Sequence, residues 1–188
     1  MQQDAYSLRA VADIPRFRGW TSADPAIERA RALLANWDGV YRRDSAEAAI
    51  YETWRATPAD LDAAAALRAS IRTLESTQGR DWSTWRWGRM HARAFPHVIV
   101  RSFDLPDVER PGGAGTVAAD GASYREILDV ANWDRSLATN TPGQSGQPVS
   151  PYYGNLLPLW AADRYFPLVF TATAIETHAR HRLTLRPN

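Results

Sequence analysis

Two serines, two histidines and an aspartate invite a catalytic reading first. Ser123 lies in Gly121-Ala122-Ser123-Tyr124-Arg125 and Ser145 in Gly143-Gln144-Ser145-Gly146. With His91 as base and Asp129 as its orienting partner, either serine would compose a Ser-His-Asp hydrolase. A nucleophile elbow needs Gly-x-Ser-x-Gly between a strand and a helix. The first segment has Arg125 where the second glycine belongs, and the second places its glycine one position early. The spacing therefore does not support a serine elbow. His97 follows Pro96 and suits a turn. His91 follows Trp87-Gly88 and suits a buried, hydrogen-bonded imidazole, so both histidines read as structural.

The run Glu176-Thr177-His178-Ala179-Arg180-His181 offers two imidazoles three apart. A zinc helix places its pair four apart on one face. The segment alternates like a strand, on which these two would face opposite ways, so no metal is expected. Trp82, Trp85 and Trp87 form either a stacking platform for a ring-bearing ligand or core aromatics. Trp85 and Trp87, two apart, would share one face of a strand, and the core reading is favoured.

Composition removes whole classes of chemistry. All 22 basic residues are arginine, which excludes Schiff-base and lysine-nucleophile mechanisms. There is no cysteine, which excludes disulfides, thiolate catalysis and cysteine metal sites. A formal net charge of +1 supplies no field for nucleic acid or a membrane surface, and neither is expected as a partner. Residues 1–12 show no basic segment followed by an apolar run, so no secretion signal is expected in this chain, nor any membrane span.

The elements that must position these residues change in kind near Asp81. Asp24-Pro25 is a helix start, with Ile27, Ala30, Leu33, Leu34 and Trp37 at helical spacing and Asp38-Gly39 as its stop. Ser45 starts a second helix containing Ala49, Tyr51, Glu52 and Trp54. Thr57-Pro58-Ala59-Asp60 starts a third, which Gly79 ends. Beyond it, Gly and Pro punctuate apolar runs that read as strands: 95–103, 114–119, 122–130, 168–173 and 182–185, with one late helix near 153–164. The chain is expected to be a single unit over 1–188, of α+β class, mainly helical over 1–80 and mainly strands over 81–188. The Pro142–Ser150 stretch, rich in Gly, Ser and Gln, is expected to be an ordered loop pinned by Tyr152, Tyr153 and the apolar run up to Trp160.

The order of motifs is specific. Trp85-Arg86-Trp87-Gly88 and His91 precede Gly112-Gly113-Ala114-Gly115-Thr116-Val117. Then come Gly121 to Arg125, Pro142 to Pro148, Ser150-Pro151-Tyr152-Tyr153, and Trp160 before Tyr165-Phe166-Pro167-Leu168. Trp37-Asp38-Gly39 and Tyr51-Glu52-Thr53-Trp54 lie upstream. The series resembles the C-terminal part of the penicillin acylase (penicillin amidase) family over most of the chain. Tyr152 stands where the family usually has His, and Ala118 where an Asn often follows the Thr-Val pair.

The resemblance implies an N-terminal-nucleophile hydrolase, whose αββα sandwich this chain would complete only in part. In that family a precursor cuts itself to expose a serine that attacks an acyl amide. That serine, the oxyanion donors and the metal ligands lie upstream of the matched region, and no Gly-Ser cleavage pair occurs here. No catalytic, cofactor or metal residue is therefore assigned to this chain; calcium, where the full-length family carries it, is held elsewhere. The expected partners are the small subunit and the N-terminal part of the large subunit. The expected substrates are β-lactam side chains or acyl-homoserine lactones, and the expected compartment of the full-length protein is periplasmic or extracellular. The chain itself is expected to be scaffold, poorly soluble or loosely packed when isolated, and inactive. The competing expectation is a stand-alone aromatic-rich binding module using Trp82–Trp87 and Tyr152–Tyr153.

Overall fold

The computed structural model describes residues 4–119 and 122–186. Gly121, which opens one of the motifs above, lies outside them. The described residues are α+β, with small antiparallel sheets. They fall into two compact units, Met1–Ala122 and Ser123–Asn188.

The first unit is built on helices that start where side chains cap free amides. Ser7 caps α1 (Leu8–Asp13), which runs on into a 3-10 turn over Ile14–Phe17. Asp24 accepts from the Ala26 and Ile27 amides, and Pro25 occupies the first turn of α2 (Pro25–Ala35). Ser45 accepts from the Ala48 amide at the head of α3 (Ala46–Arg55). The third expected helix begins later than its Thr57-Pro58 signal. Residues Pro58–Leu61 form a turn, and Asp62 caps α4 (Ala63–Gln78). Gly79 ends α4 with a φ of +92°, open to glycine at no cost.

These helices bury one face each. Ile27, Ala30 and Leu34 from α2, Ile50, Tyr51 and Trp54 from α3, and Leu67, Ile71 and Leu74 from α4 form the core with Phe17, Trp85 and Trp87. Two neutral hydroxyls enter it as a pair: Thr53 and Ser70 meet at 2.5 Å across α3 and α4, and each also donates to or shares a carbonyl of the α3 backbone. Burial without such partners would cost each hydroxyl roughly 1–3 kcal/mol.

The tryptophan region is not a strand. Asp81 caps a 3-10 turn at Trp82–Thr84, and Trp87 begins the short α5 (Trp87–Met90). After it β1 (Ala92–Phe95) pairs antiparallel with β2 (Leu105–Glu109), and the register slips between Arg93 and Phe95. Of the expected 95–103 strand only Phe95 belongs to a ladder. Val98 and Ile99 sit in a connecting loop and face water, so no neighbouring strand draws the apolar run into a sheet. The glycine-rich 112–118 stretch is a set of turns. Gly112 has a φ of +79°, and a Cβ there would overlap the Ala118 carbonyl.

The second unit carries a three-stranded antiparallel sheet in the order β3 (Arg125–Ile127), β4 (Leu137–Thr139), β5 (Phe166–Pro167). Arg125 lies opposite Thr139, and Ala138 opposite Phe166. The late helix is α6 (Leu157–Ala161), shorter than expected because Pro158 confines it to one start and Asp163 leaves helical geometry at a φ of +50°. The 168–173 run is not a strand: Thr171 caps α7 (Ala172–His178). Residues 179–186 are irregular, with Leu183 and Leu185 each 82% exposed.

Candidate functional site

Most of the residues singled out by their chemistry have a structural occupation. Trp82 stacks on Trp85 with ring centroids 4.3 Å apart, and the Arg29 guanidinium lies 4.6 Å from the Trp82 ring. The Trp85 indole donates to the Gly79 carbonyl at 2.7 Å. The Trp87 indole donates to the Gly112 carbonyl at 2.5 Å, and its ring packs edge-on to Tyr41 and face-on to His91. A stacking platform would need open faces, whereas Trp85 and Trp87 are buried.

His91 is buried beside Arg110, whose guanidinium also donates to the Ala118 and Ala119 carbonyls. His97 accepts from the Ile99 and Val100 amides through Nδ1, so it shapes the β1–β2 loop. Asp129 accepts from the Ala131 and Asn132 amides in a turn. Ser145 accepts from the Gln147 amide, and Ser123 is exposed ahead of β3. His178 closes α7 against the Ala174 carbonyl, on a helix rather than a strand, and His181 lies beyond the helix. Among the described residues no group of three or more His, Asp or Glu is placed to hold a metal ion.

The densest polar cluster belongs to the first unit. Glu52 accepts from Arg9 and from the Tyr41 hydroxyl. Asp13 accepts from the Tyr51 hydroxyl and from Arg55, both at 2.7 Å. Partial burial opposes ionisation of Asp13, but the Tyr51 and Arg55 bonds outweigh it and hold the carboxyl below its usual range. Burial, then the Asp13 bond, pushes the Tyr51 phenol up to about 12. Burial and the Glu52 bond push Tyr41 up further still. Phenols that stay neutral, and carboxylates already matched by arginines, make a clasp joining α1 to α3 rather than an acid–base pair.

In the second unit, Arg125 is the corresponding anchor. Its guanidinium donates to Asp163 at 2.5 Å and to the Trp160 carbonyl at 2.7 Å, with the Trp160 and Tyr165 rings alongside. It thus ties β3 to the end of α6. The loop is pinned by its own backbone: the Gln144 and Ser145 amides donate to the Tyr152 carbonyl, and the Leu156 amide to the Pro142 carbonyl. A Cβ at Gly143 would overlap the Tyr152 and Tyr153 carbonyls, so only glycine lets the two limbs of the loop meet.

These motif residues lie within a stretch that one family model matches. The penicillin amidase model matches residues 1–177. The chain belongs to the penicillin amidase family. It is 28% identical over 137 residues to the acyl-homoserine lactone acylase QuiP of Pseudomonas fluorescens, which takes in 66% of this chain and 17% of that relative. It is 30% identical over 112 residues to the penicillin acylase 2 proenzyme of a Pseudomonas species, covering 50% of this chain and 14% of the proenzyme. The QuiP of Pseudomonas aeruginosa is 23% identical over 156 residues, covering 66% of this chain and 18% of the relative. The chain thus spans about a sixth of the length of the curated relatives it matches.

What residue-by-residue reading missed is a cleft between Trp133 and Phe170 in the second unit, lined by apolar side chains. Its two walls are 37 positions apart in sequence, and neither carries a motif.

Proposed function

We propose that both units are the C-terminal portion of the large subunit of a penicillin-acylase-type hydrolase, and that they act as scaffold for cleavage of a non-peptide acyl amide. The observation that carries this reading is the family match over residues 1–177 in a chain whose aligned stretch takes in about one sixth of its curated relatives. The engagement of Trp85, Trp87, His97, Asp129 and Ser145 in structural bonds supports it.

In this reading the nucleophile is a serine at the amino terminus of the large subunit, outside the present residues. Its hydroxyl adds to the acyl carbonyl while its own α-amino group takes the proton, usually through a water. An α-amine has an ordinary pKa near 8, so a substantial fraction is neutral near pH 7 and able to accept. Amide donors hold the oxyanion, the amine departs with a proton, and water releases the acid from the ester. The role of this chain is to brace the fold on which that serine is positioned. Substrates would be β-lactam side chains or acyl-homoserine lactones, as the names of the relatives suggest.

Two measurements test the proposal. The purified chain should not hydrolyse a phenylacetyl amide or an N-acyl-homoserine lactone above background; turnover would overturn the scaffold role. The genomic DNA upstream should encode, in frame, further acylase sequence with a Gly-Ser pair; a promoter and ribosome-binding site directly ahead of the chain would overturn the fragment reading.

A further inference from the structure

The cleft in the second unit is lined by Leu128, Trp133, Ser136, Leu168, Val169 and Phe170 and has a volume of about 460 Å³. The Trp133 and Phe170 rings stand 6.0 Å apart at an angle of 41°. Both face water, Trp133 46% exposed and Phe170 68%, with Leu128 at 46% on the same lining. Ser136 is the single polar side chain in the lining, and its hydroxyl already accepts from the Asp129 amide.

The walls are fixed rather than collapsed onto each other by chance. Asp134 accepts from the Phe170 amide, the Thr171 amide and the Thr171 hydroxyl, at 2.8, 2.8 and 2.6 Å. Asn132 caps the turn that carries Trp133, and the Leu168 amide donates to the Ser136 carbonyl at 2.8 Å. Two exposed rings held open by these five bonds, four of them to the backbone, form a preorganised anchor pocket. Such pockets dominate association because little ordering remains to be done on contact. No charged group enters the lining, so nothing there would orient a small polar ligand.

We propose that this cleft is a socket for apolar side chains of the part of the hydrolase polypeptide that precedes this chain. The inference rests on the fragment reading above. The stretch aligned with QuiP takes in 17% of that relative, so most of such a polypeptide lies outside the match and would supply the occupant. An aromatic pair left open to water on a stapled platform is what removal of that occupant would expose.

The test uses the full chain labelled with 5-fluorotryptophan, the Trp133 fluorine resonance being assigned with Trp133→Phe. N-acetyl-leucinamide and N-acetyl-phenylalaninamide serve as side-chain probes and N-acetyl-glycinamide as the control. The apolar amides should move the Trp133 resonance saturably and the glycinamide should not. Phe170→Ser should weaken the response about tenfold. Leu128→Ser, also at an exposed position, should weaken it as well and stands in should Phe170→Ser fail to fold. A flat titration at Trp133, an equal response to the glycinamide, or full binding by both variants would overturn the socket. Sedimentation run alongside should show a monomer; a dimer abolished by Phe170→Ser would assign the cleft to a second copy and overturn the proposal. A saturable titration in a gene without upstream acylase sequence would overturn the occupant together with the fragment reading. A flat titration beside intact upstream sequence would remove the socket alone.

Discussion

Replacing Arg125 by Met should dismantle the second unit and spare the first. The side chain is almost wholly buried, and its acceptors include Asp163 at 2.5 Å and the Trp160 carbonyl at 2.7 Å. Met fills the volume of the stem but withdraws the guanidinium from the mostly buried Asp163 carboxylate. Breaking a buried pair from one side costs roughly 3–5 kcal/mol. At 1.36 kcal/mol per power of ten, that is about two to four orders of magnitude in the opening equilibrium. Single units of this size have total stabilities of about 5–15 kcal/mol, so the loss is a large share of what is there. Hydrogen exchange on the full chain reads it directly: amides of β4 and α6 should lose protection by that factor, while amides of α4 should not change. Arg125→Lys keeps the charge but not the planar fork, and should cost about 1.5–3 kcal/mol. Asp163→Asn in the Arg125→Met background should recover part of the loss, giving a coupling of about 1 kcal/mol or more. A loss under threefold in β4 protection, or equal losses in α4, would refute the clasp.

Gly143→Ala should destabilise the 142–156 loop by about 2 kcal/mol or more, because the new methyl meets backbone carbonyls that cannot rotate away; limited proteolysis between residues 144 and 152 should become fast. Leu67→Ala empties a fully buried position on α4 and should cost about 2–5 kcal/mol in thermal or urea unfolding of the first unit. Glu28, bonded by Arg31 and the Ser22 amide, has its carboxyl lowered from 4.5 to about 2. Its contribution to stability is therefore complete above pH 4.5 and lost as pH falls through about 2, and Arg31→Gln should return the carboxyl midpoint, followed by NMR, towards 4.5. The Tyr51 phenol is shifted the other way, from 10 up to about 12. Stability should hold below pH 10 and fall as pH rises towards 12, with a shallower alkaline decline in Tyr51→Phe.

The helices were legible because their signals are local. Asp24-Pro25, Ser45 and Gly79 cap or end helices by bonds and torsions within a few residues. The start of α4 was misplaced because Thr57-Pro58-Ala59-Asp60 spells a turn as readily as a cap, and Asp62 makes the bond. Strands depend on distant partners, and that is where the pattern overreached. Val98, Ile99, Leu183 and Leu185 have the composition of strand residues, yet none lies in a ladder among the described residues. The same holds for the candidate sites. The loop after Pro142 was legible as ordered because Tyr152 and Tyr153 lie close by in the chain. The cleft of Trp133 and Phe170 was not, since Asp134 links its walls through amides 36 and 37 positions away.

The first unit is laced shut by its own extremities. The Ala118 amide donates to the Asp4 carbonyl, the Gly112 amide to Tyr41, and the Tyr41 amide to Ala5, so three distant stretches meet in one seam. During synthesis the helices can pack as they leave the ribosome, but this seam has no second edge until residue 118 emerges. A nascent chain halted between the end of α4 and that point would present its early residues to chaperones with the core formed and the closure missing.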